Sequence, residues 1–138
     1  MTITICGSMT FAKEMLSVKE QLEKMGYKVF VPGELEGLDL NKQEEYKSSE
    51  EHAAAKIEND FIRAHYGLIV RSDAILVLNY TKDGIPNYVG GNSFLEMGFA
   101  FVHGKKIYLL NPIPLTIYES EMKAMQPVVL EGNLAAIS

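Results

Sequence analysis

The sequence predicts an α/β fold: a doubly wound, mostly parallel sheet of five strands in the order 2-1-3-4-5. Three observations lead there. β-Branched and apolar runs alternate with helical stripes along the chain. The run Asp73–Asn79 (DAILVLN) is almost continuously apolar, as expected of a strand covered on both faces. Right-handed crossovers then restrict the strand order. The 138 residues, 47% apolar and 22% charged, suit one domain spanning 1–138.

Each element has its own signal. Thr2–Cys6 (TITIC) is β-branched and reads as the first strand. Phe11, Met15, Val18, Leu22 and Met25 recur at helical spacing, and Gly26 ends that helix. Tyr27–Val31 is the second strand, stopped by Pro32-Gly33. Residues 34–47 are polar and read as loop. Ser48–Arg71 reads as one long helix, with Ser48 and Glu51 at capping-box spacing and Ala54, Ile57, Phe61, Ala64 and Leu68 on one face. Gly67 is expected to weaken or bend it. The third strand follows, then a loop over Tyr80–Gly91 and a helix apolar nearly all round, which predicts its burial. Gly104 closes that helix. Lys106–Leu110 is the fourth strand, Asn111–Pro114 a rigid loop, 117–125 a short helix and 127–130 a last strand.

The net charge of −5 and the lack of any basic run argue against binding duplex nucleic acid by charge. The single Cys6 forms no internal disulfide and fits a reducing, cytoplasmic compartment. No apolar run approaches the ~20 residues of a membrane span, and the N-terminus lacks the pattern of a signal peptide.

Ligands of such sheets bind beyond the carboxyl ends of the strands, at the switch between the first and third. Gly7-Ser8, Asn79 to Gly91, and Asn111 fall at that edge. Glu96 lies one turn into the helix that starts there, a lone acid among Phe94, Leu95, Met97, Phe99, Ala100, Phe101 and Val102. One reading makes Ser93-x-x-Glu96 a capping box. The other makes Glu96 functional: Gly90-Gly91 let a ligand approach backbone, and a buried acid is costly without a task. With Asn92 as the cap, the helix dipole would favour the ionised form, and such a carboxylate can attack an electron-poor carbon. Gly7-Ser8 is open between a plain turn and a phosphate cradle. Gly98–Lys105 imitates a P-loop with the wrong spacing and is rejected. His52, His65 and His103 have no metal-ligand spacing with one another or with Cys6, so they read as surface or helix-face residues and Cys6 as core. Asp73, at the amino end of its strand, reads as a structural acid.

Cys-Gly-Ser after the first strand, LEKMGYKVFVP, SDAILVLN and GGNSFLEMGFAFVHGKKIYLLNP resemble the nucleoside 2-deoxyribosyltransferase superfamily. Within it the Cys-Gly-Ser turn looks most like the 2'-deoxynucleoside 5'-monophosphate N-glycosidases. The resemblance covers roughly residues 2–112, and Glu96-Met97-Gly98-Phe99-Ala100 is its most telling part. It implies a flavodoxin-like fold and a homodimer or larger assembly. It also implies that Glu96 attacks the anomeric carbon and displaces the base, the glycosyl-enzyme passing to water or another base. Carried over by position, the family's first-strand tyrosine falls on Thr4 and its basic residue after the serine on Thr10. A polar or acidic residue falls on Gly90, with Asn87 or Asn92 as substitutes. An aspartate that handles the base falls on His65, with Asp60 as a replacement on the same helix. A weaker resemblance, to cytokinin-activating phosphoribohydrolases, rests on the glycine pair and the glutamate and implies the same bond chemistry.

The expectation is therefore cleavage or transfer at the N-glycosidic bond of a nucleoside or nucleoside 5'-monophosphate. Glu96 and Asp60 would be catalytic, and Gly7, Ser8, Thr10, Asn79, Gly90, Gly91 and Asn92 would bind substrate, with no metal and no cofactor. The partner is a small-molecule nucleoside or nucleotide, with no nucleic-acid duplex and no membrane. The rival is a non-catalytic nucleotide-binding module on the same fold.

Overall fold

The computed structural model describes residues 1–35 and 60–138. Five parallel strands form the sheet: β1 (Thr2–Cys6), β2 (Lys28–Phe30), β3 (Ala74–Val77), β4 (Lys106–Leu109) and β5 (Val128–Val129). Their order is β2-β1-β3-β4-β5, as the alternation predicts. Ile3 lies opposite Val29 on one side and Ala74 on the other, and Leu76 lies opposite Tyr108.

The pleat divides the core. Ile3 and Ile5 face α1 (Ala12–Lys24), whose Ala12, Met15, Val18 and Leu22 are buried against them. Cys6, Ile75, Val77, Ile107 and Leu109 face the opposite layer, which contains Ile69, Met97, Ala100 and Met122. Those four come from α2 (Phe61–Val70), α3 (Gly91–Val102) and α4 (Glu119–Ala124). All four residues of β3 are buried, in keeping with its unbroken apolar run.

Two glycines end helices as expected. Gly26 takes φ +95 after α1, and Tyr27 N–H reaches back to the Leu22 carbonyl at 3.1 Å. Gly104 takes φ +68 after α3, and Lys105 N–H donates to Ala100 at 2.8 Å. Both are left-handed terminations that close exposed carbonyls.

Three expectations need correction. The helix expected over Ser48–Arg71 does not run through Asp60, which is left-handed at φ 49; α2 begins at Phe61. Residues 48–59, with Ser48, Glu51, His52, Ala54 and Ile57, lie outside the described residues, as do 36–47 of the expected loop. The buried stripe of α2 is His65 and Ile69, continued by Ser72, whereas Ala64 is exposed. Burying a histidine one position from the apolar stripe is a tertiary choice, because His65 finds polar partners inside. The helix passes Gly67 without a break. Lastly, α3 is not buried all round: Leu95, Phe101 and Val102 are exposed, Val102 by 80%.

Candidate active site

The carboxyl ends of β1 and β3 meet at Gly7. Its φ is +155, and a Cβ there would lie 3.1 Å from Met15 Cε and 3.4 Å from the Leu78 carbonyl. Only glycine lets the chain leave the sheet so close to β3. Ser8 then caps a short 3-10 turn, Met9–Phe11, accepting from Thr10 N–H and donating to Thr10 Oγ1 at 3.1 Å. The expected cluster Gly7, Ser8, Thr10 is thus one local unit.

A cation joins it. Lys82 Nζ donates to Ser8 Oγ at 3.2 Å and lies 5.0 Å from the centre of the Tyr88 ring. The lysine is held by a tight turn. Lys82 N–H donates to the Ile85 carbonyl, Ile85 N–H returns the bond at 2.8 Å, and Asp83 and Gly84 both have positive φ. This is a two-residue hairpin turn, for which Asp-Gly is a favoured pair. The sequence places the 80–91 loop at the ligand edge without singling out Lys82, for which the Asp83-Gly84 dipeptide is the available signal. Tyr88 covers Gly90, where a Cβ would come within 3.0 Å of its hydroxyl.

Gly90 is the N-cap of α3 and makes no side-chain cap bond. The helix therefore starts before both candidate caps, and Ser93 is buried inside its first turn. The capping-box reading of Ser93 and Glu96 falls, as does Asn92 as cap. Gly91 and Asn92, both exposed, stand at the helix start, where backbone N–H groups lack intrahelical acceptors. Glu96 follows in the second turn.

Three elements converge on that glutamate. Its side chain is only 14% exposed, and Oε2 lies 3.1 Å from His65 Nε2 of α2. The same nitrogen is 3.4 Å from Sγ of Cys6, at the end of β1. Burial lowers the His65 pKa to about 4, outweighing an opposing effect of the Ile5 backbone. The ring is thus neutral near pH 7, and its contact with Glu96 is a hydrogen bond rather than a full ion pair. Nδ1 is buried and meets no group at good hydrogen-bond geometry, although the Ile5 backbone lies near enough to favour the charged ring. The Cys6 thiol is pushed well above its usual range, first by burial and then by the charge of Glu96. His65 is therefore a helix-face residue on a buried face rather than at the surface, and Cys6, in the core as expected, also meets its ring. Linear spacing hid the pair, because its members are 59 residues apart.

Other expected residues have local partners of their own. Asn79 is fully buried, and its Nδ2 donates to the carbonyls of Asn111 and Pro112 while Oδ1 accepts from Asn111 N–H. Its side chain clamps the exits of β3 and β4. Asp60 is exposed and pairs with Arg63 at 3.0 Å, at the start of α2 rather than within it. Thr4 Oγ1 meets Ser72 Oγ at 2.6 Å and donates to the Leu68 carbonyl. Asp73 accepts from Thr2 N–H at the amino edge, the structural role expected. Asn87 adopts a left-handed conformation. His103 bonds Tyr66 at 2.6 Å.

No protein-family model matches the chain, and no curated protein matches it. Its fold is similar to that of a 2-deoxyribosyltransferase from the psychrotolerant bacterium Bacillus psychrosaccharolyticus. The TM-score is 0.53 and the identity 19%, covering 79% of this chain and 71% of that one. It is also similar to a CMP N-glycosidase, BcmB, from Clostridium botulinum, with TM-score 0.50 and 15% identity over 94% of this chain and 85% of that one. At these identities the likeness is one of architecture.

Proposed function

We propose that this chain, as one domain over 1–138, cleaves or transfers at the N-glycosidic bond of a nucleoside or nucleoside 5'-monophosphate, with Glu96 as nucleophile. The observation that carries the reading is the largely buried Glu96 carboxylate in the second turn of α3, 3.1 Å from His65 Nε2. Fold likeness to a 2-deoxyribosyltransferase and a CMP N-glycosidase supports the reaction class.

In this reading a Glu96 oxygen bonds to C1' as the C1'–N bond breaks, and the electron pair leaves with the base, which takes up a proton. Water then attacks C1', loses a proton and frees the carboxylate; a second base in its place gives transfer. No cofactor is required. The His65 N–H orients the carboxylate and offsets part of its desolvation. Ser8, Lys82 and the amides of Gly91 and Asn92 suit a 5'-phosphate. The base would lie toward the start of α2, near Asp60.

The second reading, a non-catalytic nucleotide-binding module, is favoured by Thr4 and Asp60, whose polar groups are committed to Ser72, Leu68 and Arg63. A panel of nucleosides and monophosphates followed for free base separates the two. Turnover is expected in wild type, and Glu96→Gln should lower it at least ~100-fold, the lower range for a lost catalytic side chain. Its melting and ligand binding should hardly change. Binding without base release would support the module. An active wild type with normal turnover in Glu96→Gln would remove Glu96 from the chemistry. The reading includes a homodimer or larger assembly and keeps the cytoplasmic location expected from the sequence.

A further inference from the structure

The His65 ring poses a problem that its hydrogen bonds do not solve. Nε2 faces Glu96 Oε2 at 3.1 Å and Cys6 Sγ at 3.4 Å, while Nδ1 is buried without a partner at good hydrogen-bond geometry. A neutral imidazole has one N–H and one lone pair. With the proton on Nε2, the Glu96 bond is made and a buried lone pair is stranded at Nδ1. With the proton on Nδ1, Nε2 turns its lone pair toward a carboxylate oxygen and a sulfur. The Nε2 lone pair, the Glu96 oxygen and the Cys6 sulfur then converge on one point, held by the thiol proton until a cation displaces it.

We propose that Cys6, His65 and Glu96 form a binding site for a divalent cation of the zinc class. The donors are one sulfur, one imidazole nitrogen and one carboxylate oxygen, all of which zinc accepts. With bonds of ~2.3 Å to sulfur and ~2.0–2.2 Å to nitrogen and oxygen, tetrahedral angles set neighbouring donors about 3.3–3.6 Å apart. The sulfur–nitrogen distance of 3.4 Å fits, and the nitrogen–oxygen distance of 3.1 Å is slightly short. All three donor atoms lie within 4.8 Å of one another. Glu96 is the longest and most exposed of the three side chains, so its edge to Cys6 is the one that would adjust on binding. Cys6 is fixed in a central strand and His65 on a buried helix face, so two donors are already in position. Three protein donors leave a fourth position for water, the pattern of open zinc sites.

On binding, the Cys6 S–H bond breaks, the sulfur's electron pair goes to the metal, and the proton goes to solvent. The His65 proton sits on Nδ1, and Nε2 gives its lone pair to the metal. The ion would occupy Glu96 and so act as a reversible block on the chemistry proposed above. Coordination itself requires only the three side chains and does not depend on that reading.

The test is a titration of Co2+ and Zn2+ into the untagged, chelator-treated full chain. One ion per chain is expected, with the thiolate-to-cobalt absorption and intense d–d bands of tetrahedral coordination. Cys6 is the only cysteine, so a thiolate band can come from no other residue. His65→Gln and Glu96→Gln should each weaken binding at least ~10-fold, the scale seen when a metal site loses a partner. Cys6→Ser should erase the thiolate band; if it fails to fold, the wild-type spectrum and proton release measured in buffers of different ionisation heat decide instead. No thiolate band in the folded wild type, or unchanged affinity in folded His65→Gln and Glu96→Gln, would overturn the site.

Discussion

His65 shows how a single side chain makes the interior sensitive to pH. Its pKa is about 4 in the folded chain against 6.5 for an ordinary histidine, because burial penalises the charged ring. Between those values the unfolded chain binds a proton that the folded chain refuses, so stability rises with pH across this window. The contribution is complete above about pH 6.5 and is lost as pH falls through about 4, amounting to about 3 kcal/mol at 1.36 kcal/mol per unit. Urea unfolding at pH 7 and pH 4 should therefore show wild type losing about 3 kcal/mol more than His65→Gln. Equal losses would mean that the ring is not desolvated as described. Glu96 was legible because one acid interrupts an apolar helix. His65 was not, since nothing local separates a histidine facing water from one facing a carboxylate across the core. Its partners are supplied by β1 and α3, and only the packed layers bring them together.

At the scale of elements, strands and helix ends were readable because their causes are local. Gly26 and Gly104 end helices by taking positive φ, and a short-range signal announces them. The start of α3 was misjudged because Ser93 imitates a cap. Backbone geometry instead makes Gly90 the N-cap, leaving Ser93 buried within the first turn. The turn at Lys82–Ile85 is also local, and it fixes a cation beside Ser8. Lys82→Met keeps most of the apolar stem and removes the charge. Calorimetry should show monophosphate affinity falling about 10-fold, within the range for a charge-assisted hydrogen bond, with nucleoside affinity unchanged. Equal losses for both ligands would show that the turn, rather than its charge, is what matters.

Across the whole molecule, the strand order follows from alternation and crossover handedness, and it puts the site at the switch between β1 and β3. The outer surface was less legible. An apolar helix reads as buried whether its cover comes from the same chain or from another. Leu95, Phe101 and Val102 of α3 and Ile62 of α2 are exposed in the single chain. Where such residues lie together they are a common sign of an association surface. Light scattering at micromolar concentration should give a dimer or larger species, and Phe101→Glu with Val102→Asp should shift it toward monomer. A monomeric wild type would count against assembly.

The parallel pairing of β1 also has a cost in time. Thr2 N–H finds its Asp73 partner only 71 residues further along the chain. At about 5–20 residues per second, synthesis leaves the β3-facing edge of β1 waiting on the order of 4–14 s for that partner. During that interval Ile3, Ile5 and Cys6 belong to an open strand edge, the kind that pairs with the wrong chain. The arrangement that brings Cys6 beside His65 and Glu96 thus leaves the first strand open while the intervening chain is made, and the site cannot assemble before residue 96 has been added.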